Sequence, residues 1–218
     1  MYSASMPHDS LHRITQWLAT HAPRILHESL NPGATDEQLA ALEIAVGKPL
    51  PEEYKALYQW HNGLNEEADN WGSLFYGMSF LPLAEVLDAY RYQAPQTLTS
   101  PLLQAAPTLK SAVMQNPYWL RLGFVGSHGW LLVDLDPAET GSYGQVLYVY
   151  ELDEIGFQAA SSITELLQSF AHDLEQGLYT LDEGAADDGN EFLVPAAHID
   201  PGNYNQPGRW QHALSQTA

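Results

Sequence analysis

Trp119-Leu120-Arg121-Leu122-Gly123-Phe124-Val125, then Gly126-Ser127-His128-Gly129, then Trp130-Leu131-Leu132-Val133-Asp134-Leu135 is the stretch that decides the fold. Two apolar runs of strand length, rich in aromatic and branched residues, flank a short Gly-bounded link. That pattern predicts a β-hairpin. Asp136 to Gly144 reads as a second, longer turn, and Gln145-Val146-Leu147-Tyr148-Val149-Tyr150 as a third strand. Three consecutive strands on short links imply an antiparallel meander over residues 119–150.

On either side of the meander the period changes to that of helices. Ser162 caps a helix over 162–176, with Glu165 in the capping-box position and Ile163, Leu166, Leu167, Phe170 and Leu174 on its apolar face. Upstream, Leu11, Ile14, Trp17 and Leu18 recur at three and four residues, and Leu26 and Leu30 prolong the pattern past Pro23. Thr35 and Gln38 form a capping box for a helix over 36–46, which Gly47 stops. Pro51 opens another over 51–61, where its missing N–H costs nothing, and Asn62-Gly63 ends it. Trp71 to Phe80 reads as strand or hairpin, Leu83 to Tyr90 as a short helix, and 93–107 as irregular. The fold class is therefore α+β, helices flanking a twisted, largely antiparallel sheet.

The chain has 218 residues, 45% of them apolar, which suits one well-filled domain. Residues 1–180 are read as that domain. Residues 181–218, acidic and then rich in Gly and Pro, are read as an extension lying on its surface. No apolar run approaches the ~18 residues of a membrane span, and Met1 to Asp9 lacks the features of a signal peptide. Without cysteine there is no disulfide framework, thiolate nucleophile or Cys-based metal site. A cytoplasmic location is the simplest expectation.

Charge is the most unusual feature: 27 acids against 8 Lys and Arg, net −19. Between Arg121 and Arg209 no Lys or Arg occurs, although acids run from Asp134 to Asp200. Nucleic acid is excluded as a partner because phosphate contacts need Lys and Arg, and anionic membrane for the same reason. The acidity serves solubility, or it attracts a basic protein partner through its long-range field.

Four stretches resemble the SUKH superfamily, named partly for the fungal Smi and Knr regulators of wall assembly. Gly33-Ala34-Thr35 leading into Glu43, with Leu50-Pro51-Glu52-Glu53-Tyr54 and Asn62-Gly63, is similar to that family's N-terminal signature. Phe80-Leu81-Pro82-Leu83-Ala84-Glu85 resembles its next segment, and Leu122-Gly123 through Gly129 to Asp134 its central hairpin. Gly144-Gln145-Val146 and Ser161 to Leu167 resemble its closing strand and helix. The likeness covers about residues 10–178; the segment from Gln93 to Asn116 and the tail after Thr180 fall outside the pattern. It implies an α+β fold and a non-catalytic role through protein contacts. In bacteria that role is commonly immunity against polymorphic toxins, nucleases among them; in fungi it is regulation of wall assembly.

The motifs that suggest chemistry are weak. Asp134-Leu135-Asp136 resembles a carboxylate pair for a divalent metal, and strand alternation puts both on one face, but no further convergent ligand is identifiable. Val125 occupies the place where a nucleophile elbow around Ser127 needs glycine. The run Asp182 to Glu191 fails the calcium-loop spacing. The nine histidines are read as showing no His-x-x-x-His or His-Glu-x-x-His arrangement, and each as a surface or satisfied core residue. Trp60, Trp71, Trp119 and Trp130 are read as core residues, an exposed one being an interface anchor.

The sequence reading is thus a non-catalytic protein-binding module without catalytic residues, cofactor or metal. Its expected role is a bacterial immunity protein; a regulator or scaffold of Smi/Knr type and a metal-dependent enzyme using Asp134 and Asp136 are the alternatives. The acids expected to meet a basic partner are Glu66, Glu67, Asp69, Asp134, Asp136, Glu139, Glu151, Asp153 and Glu154. Gly33, Leu50, Pro51, Tyr54, Asn62, Gly63, Gly123, Gly129, Asp134 and Gly144 are expected to serve the fold.

Overall fold

A computed structural model describes residues 7–95, 100–126 and 128–214. The reading of Met1 to Met6 as non-signal sequence and of Ser127 as a turn residue lies outside these residues.

Helix α1 (Pro7–His21) buries Leu11, Ile14 and Leu18, and after Pro23 a π-helical turn, Ile25–Ser29, carries the chain onward. Helix α2 (Asp36–Val46) begins with the Thr35–Gln38 capping box formed in both directions and closes on Gly47. Helix α3 (Glu52–Trp60) follows Pro51 and buries Tyr54, Leu57 and Tyr58. The bounds of α2 and α3 fall within one residue of those expected, whereas α1 stops at His21, short of the extension to Leu30 that the spacing suggested.

The segment from Trp71 to Phe80 differs from the strand or hairpin expected of it. Only β1 (Ser79–Phe80) is strand, preceded by a 3-10 turn at Phe75–Gly77. The polar groups there are satisfied elsewhere: Ser73 Oγ donates to the Leu193 carbonyl at 2.7 Å, and the Tyr76 N–H donates to Tyr179 Oη at 3.1 Å. Helix α4 (Leu83–Gln93) and a two-residue strand β2 (Gln104–Ala105) lead into the meander.

The meander itself is β3 (Trp119–Val125), β4 (Gly129–Asp134) and β5 (Gln145–Tyr150), antiparallel throughout. A fourth strand, β6 (Ile155–Ala160), absent from the sequence reading, continues it antiparallel to β5. The sheet order is β1-β3-β4-β5-β6-β2, with only the β6–β2 pairing parallel. Gln145 to Val149 are buried without interruption. Successive side chains point to opposite faces, so both faces of the sheet are covered at its centre. Helix α5 (Ile163–Glu175) packs against β5 and β6 on one side and against α1 and α3 on the other.

Residues 181–214 are largely exposed or half-buried, as an extension on the surface would be, but a few of their side chains are tied into the core. Strand β7 (Tyr179–Leu181) pairs with β8 (Leu193–Pro195), with α6 (Glu183–Asp187) between them in sequence. Leu193, Ile199 and Trp210 join the same hydrophobic cluster as the helices and the sheet. Arg209 reaches back in a bidentate pair to Asp173 of α5, both contacts at 2.7 Å, and Asp173 is buried. Three apolar residues spread over eighteen positions carry no periodicity, which is why sequence patterning passed over them.

Candidate functional site

Asp134 is not a surface acid: it is completely buried. Its Oδ1 accepts the Asp136 N–H at 2.7 Å and its Oδ2 accepts the Gln145 amide at 2.8 Å. The same amide donates to the Thr108 carbonyl at 2.9 Å, while Gln145 Oε1 accepts Gln158 Nε2 at 2.8 Å. The network ties β4, β5 and β6 to the segment before β3. Burial raises the Asp134 carboxyl above the usual range, against the opposing effect of these bonds. Asp136 lies beyond the end of β4, so strand alternation does not pair it with Asp134. It meets Lys110 at 2.7 Å and Lys48 at 3.9 Å; partial burial pushes its carboxyl up, but Lys110, Asn116 and Lys48 together hold it below the usual range. Among the described residues no group of three or more His, Asp or Glu is placed to hold a metal ion.

The other expected acids form two separate groups. At the β5–β6 turn, Asp153 is exposed, and Glu151 and Glu154 are half-buried. His128 Nδ1 lies 3.5 Å from Glu151, and Tyr204 donates its hydroxyl to Asp153. Leu152 stands 63% exposed in this turn, and Leu103, 72% exposed, joins it where the Leu103 N–H donates to the Glu154 carbonyl. Glu66, Glu67 and Asp69 are exposed in the loop that adjoins β1, at the opposite edge of the sheet order from β6. Glu139 is exposed in the turn after Asp136. The structure therefore brings 151–154 together, beside β6, and leaves 66–69 beside β1 at the other end of the sheet order.

The expectation that acids between Arg121 and Arg209 lack compensating cations holds along the sequence but not in space. Lys48, Lys110, Arg13 and Arg209 arrive from outside that stretch to meet Asp136, Glu175 and Asp173. Seven of the eight Lys and Arg lie within 4.0 Å of a carboxylate. The eighth, Arg121, lies over the Trp130 ring, 4.0 Å from its centroid. Among the described residues, most of the 27 acids have no Lys or Arg within 4.0 Å.

The residues expected to serve the fold sit at close approaches. A Cβ on Gly33 would fall 2.0 Å from the Gln59 carbonyl oxygen, where the loop lies against the end of α3. Gly63 has φ +73, and a Cβ there would lie 2.3 Å from the Pro82 nitrogen. Asn62 Oδ1 accepts the Leu83 N–H at 2.9 Å and so starts α4. Tyr54 is fully buried, and Leu50 is buried with its N–H donated to Glu43 Oε1 at 2.7 Å. Gly144 packs against Pro51, joining the turn before β5 to the start of α3. Gly123 marks a register shift between β3 and β4, and Gly129 lies beneath Tyr148.

Two features escaped the sequence reading. Trp71, read as core, is 65% exposed. It borders a cavity of about 120 Å³ with Glu66, Phe80, Leu81, Pro82 and Glu85. His8 and His12, four residues apart on α1, are both exposed and line a broader groove of about 330 Å³ with Trp60. Their His-x-x-x-His spacing corrects the expectation that the histidines show no such arrangement. No sequence signal marks Trp71 as exposed, because its aromatic and Gly-punctuated surroundings match those of core strands.

A family model described as SMI1 / KNR4 family (SUKH-1) matches residues 33–169, well over half of the chain. The chain belongs to the SMI1 / KNR4 family. The matched segment runs from the Gly33 loop to the middle of α5, and so includes the whole six-stranded sheet. The chain is also similar to "Cell wall biosynthesis/cell cycle regulator smi1" of Schizosaccharomyces pombe, 28% identical over 202 residues. That likeness takes in 83% of this chain and 39% of the yeast protein, so the chain spans about two fifths of its relative's length. Among the described residues no helix is long and apolar enough to cross a membrane.

Proposed function

We propose that this member of the SMI1 / KNR4 family is a non-catalytic protein-binding module that acts as an immunity protein, masking a basic surface on a toxin. One observation carries the reading: at two places, Trp71 near β1 and Leu103 with Leu152 near β6, large apolar side chains stand exposed beside carboxylates that have no Lys or Arg within 4.0 Å among the described residues. Large apolar side chains within a charged rim are the anatomy of a binding surface. The sign of the rim selects a basic partner, and a toxin that holds nucleic acid must carry such a surface. Asp134 belongs to the fold, and Asp136 is neutralised by two lysines, which removes support from the metal-enzyme reading.

A second reading, a regulator with an endogenous partner, is favoured by the yeast relative, whose likeness extends beyond the segment common to the family. Growth separates the two. The product of the gene adjoining this one is expressed under an inducible promoter, with and without this chain. Arrest relieved only by co-expression is the expected result. A neighbour that is harmless alone defeats the immunity reading and leaves the regulatory one.

A further inference from the structure

Trp71 is exposed yet firmly held. Its backbone N–H donates to Asn190 Oδ1 at 2.8 Å, and its ring lies 5.2 Å from that of Phe192. The preceding Asn70 is completely buried, bonded through Nδ2 to Ser29 Oγ at 2.7 Å and through Oδ1 to the Glu191 N–H at 2.7 Å. Gly72 lies so close to Ser29 that a Cβ would come within 2.7 Å of its hydroxyl. A buried polar knot thus fixes an indole in solvent, where it gains little for folding. Rigid aromatic residues of this kind lose little entropy when they bind.

The cavity beside it combines three chemistries. Leu64, Phe80, Leu81 and Pro82 give apolar walls, Trp71 an aromatic face, and Glu66 and Glu85 two carboxylates. Glu85, in the first turn of α4, is half-buried. Neither acid has a Lys or Arg within 4.0 Å. Burial, and then repulsion from Glu66, pushes the Glu85 carboxyl above its usual range. The fold therefore leaves two like charges around one space, with neither paired to a Lys or Arg among the described residues. At about 120 Å³ the cavity is slightly smaller than one of about 150 Å³ that accepts benzene, a size suited to the end of one long side chain.

We propose that this cavity is the docking pocket for a single arginine side chain of the basic partner. Its guanidinium stacks on Trp71 and is bonded by Glu85 and Glu66, while its methylene stem lies along Leu64 and Pro82. The inference rests on the protein-binding reading and supplies one contact of it. Arginine suits the pocket better than lysine: its planar head is weakly hydrated, stacks on aromatic faces and meets carboxylates bidentately. A lysine ammonium brings a point charge that sheds water reluctantly.

The test needs no partner protein. Trp71 has an indole N–H whose amide-region NMR signal is assigned by its loss in Trp71→Phe. N-acetyl-arginine methylamide should shift that signal saturably, and the neutral isostere N-acetyl-citrulline methylamide should bind about tenfold more weakly or not at all. Glu85→Gln should loosen the arginine probe about fivefold, with Glu66→Gln as the second variant should the first perturb the spectrum generally. A Trp71 signal that ignores the arginine probe, follows citrulline equally, or responds unchanged in both variants overturns the pocket. Because the probe is small, an unmoved Trp71 removes the pocket whatever the growth experiment shows. A harmless neighbouring gene removes the immunity reading and leaves an arginine response intact.

Discussion

Asp134 shows how one carboxylate can read as surface and belong to the core. In sequence it stands at a strand end, two residues before another acid and three before a proline, where turn acids are common. Its burial is decided by Gln145, eleven residues on, and by the Asp136 N–H. Two donors converge on it, and an asparagine has only one acceptor oxygen to offer them. Rotation of the Gln145 amide would not rescue the variant, because Gln145 Oε1 already accepts from Gln158 and Ser142. Asp134→Asn should therefore destabilise the protein by roughly 1–3 kcal/mol, the cost of an unsatisfied buried polar group, although it removes a buried charge. The pH dependence has a definite sign. A carboxyl whose folded pKa is raised binds its proton more readily in the folded state, so its contribution to stability grows as pH falls toward the usual carboxylate range. The variant lacks that gain. Urea midpoints at neutral and mildly acidic pH should show its deficit widening on acidification; a narrowing deficit would mean that Asp134 is stabilised as the anion.

At the scale of elements, what was legible in the chain was what is periodic or capped. Helices α2, α3 and α5 were readable because two carry side-chain N-caps, the third begins after Pro51, and each buries residues at helical spacing. Strands β3 to β5 were readable as apolar runs between turn residues. Strand β6 was not: Gly156 and Gln158 interrupt its apolar character, and the turn before it places Glu154 at φ 51 without the usual Gly or Asn. The family resemblance was legible too, since Gly33, Gly63 and Gly144 each stand where backbone or ring atoms leave no space for a side chain. The C-terminal strap was hidden because it is held by isolated contacts. The Arg209–Asp173 pair is the strongest of these, with the Asp173 side chain 2% exposed and Arg209 31%. Removing one member of such a pair leaves the other charge buried, at a cost of about 3 kcal/mol. Arg209→Ala should therefore lower the thermal midpoint, whereas Arg209→Met with Asp173→Leu should recover most of the loss. Equal loss in the single and double variants would show that Arg209 acts by packing on Trp210 and not through its charge.

For the whole molecule, the net charge of −19 has two consequences, and salt moves them in opposite directions. Within the protein, seven of eight cations are already spent on carboxylates, mostly in partly exposed pairs of the kind worth little, ~0–1 kcal/mol each. The remaining acids repel one another, and self-repulsion opposes the compact state. Raising monovalent salt shortens the screening length from about 30 Å at 0.01 M to about 8 Å at 0.15 M. Repulsion among dispersed charges acts over longer distances than contact pairs, so it is screened first. The thermal midpoint should therefore rise with sodium chloride through this range. Association with a basic partner should slow over the same range, because the field that steers encounter is screened as well. Charge reversal tests where that field acts. Asp153→Lys/Glu154→Lys and Glu67→Lys/Asp69→Lys alter the two separate acidic groups while leaving Glu66 and Glu85 in place. Each pair should reduce the salt dependence of the association rate, the larger reduction marking the group that faces the partner. Dissociation should change less, since it is governed by anchors such as Trp71 and Leu152. A midpoint that falls with salt would mean that ion pairs outweigh repulsion. An association rate indifferent to salt in the unmutated protein, and unchanged in both variants, would assign the acidity to solubility alone.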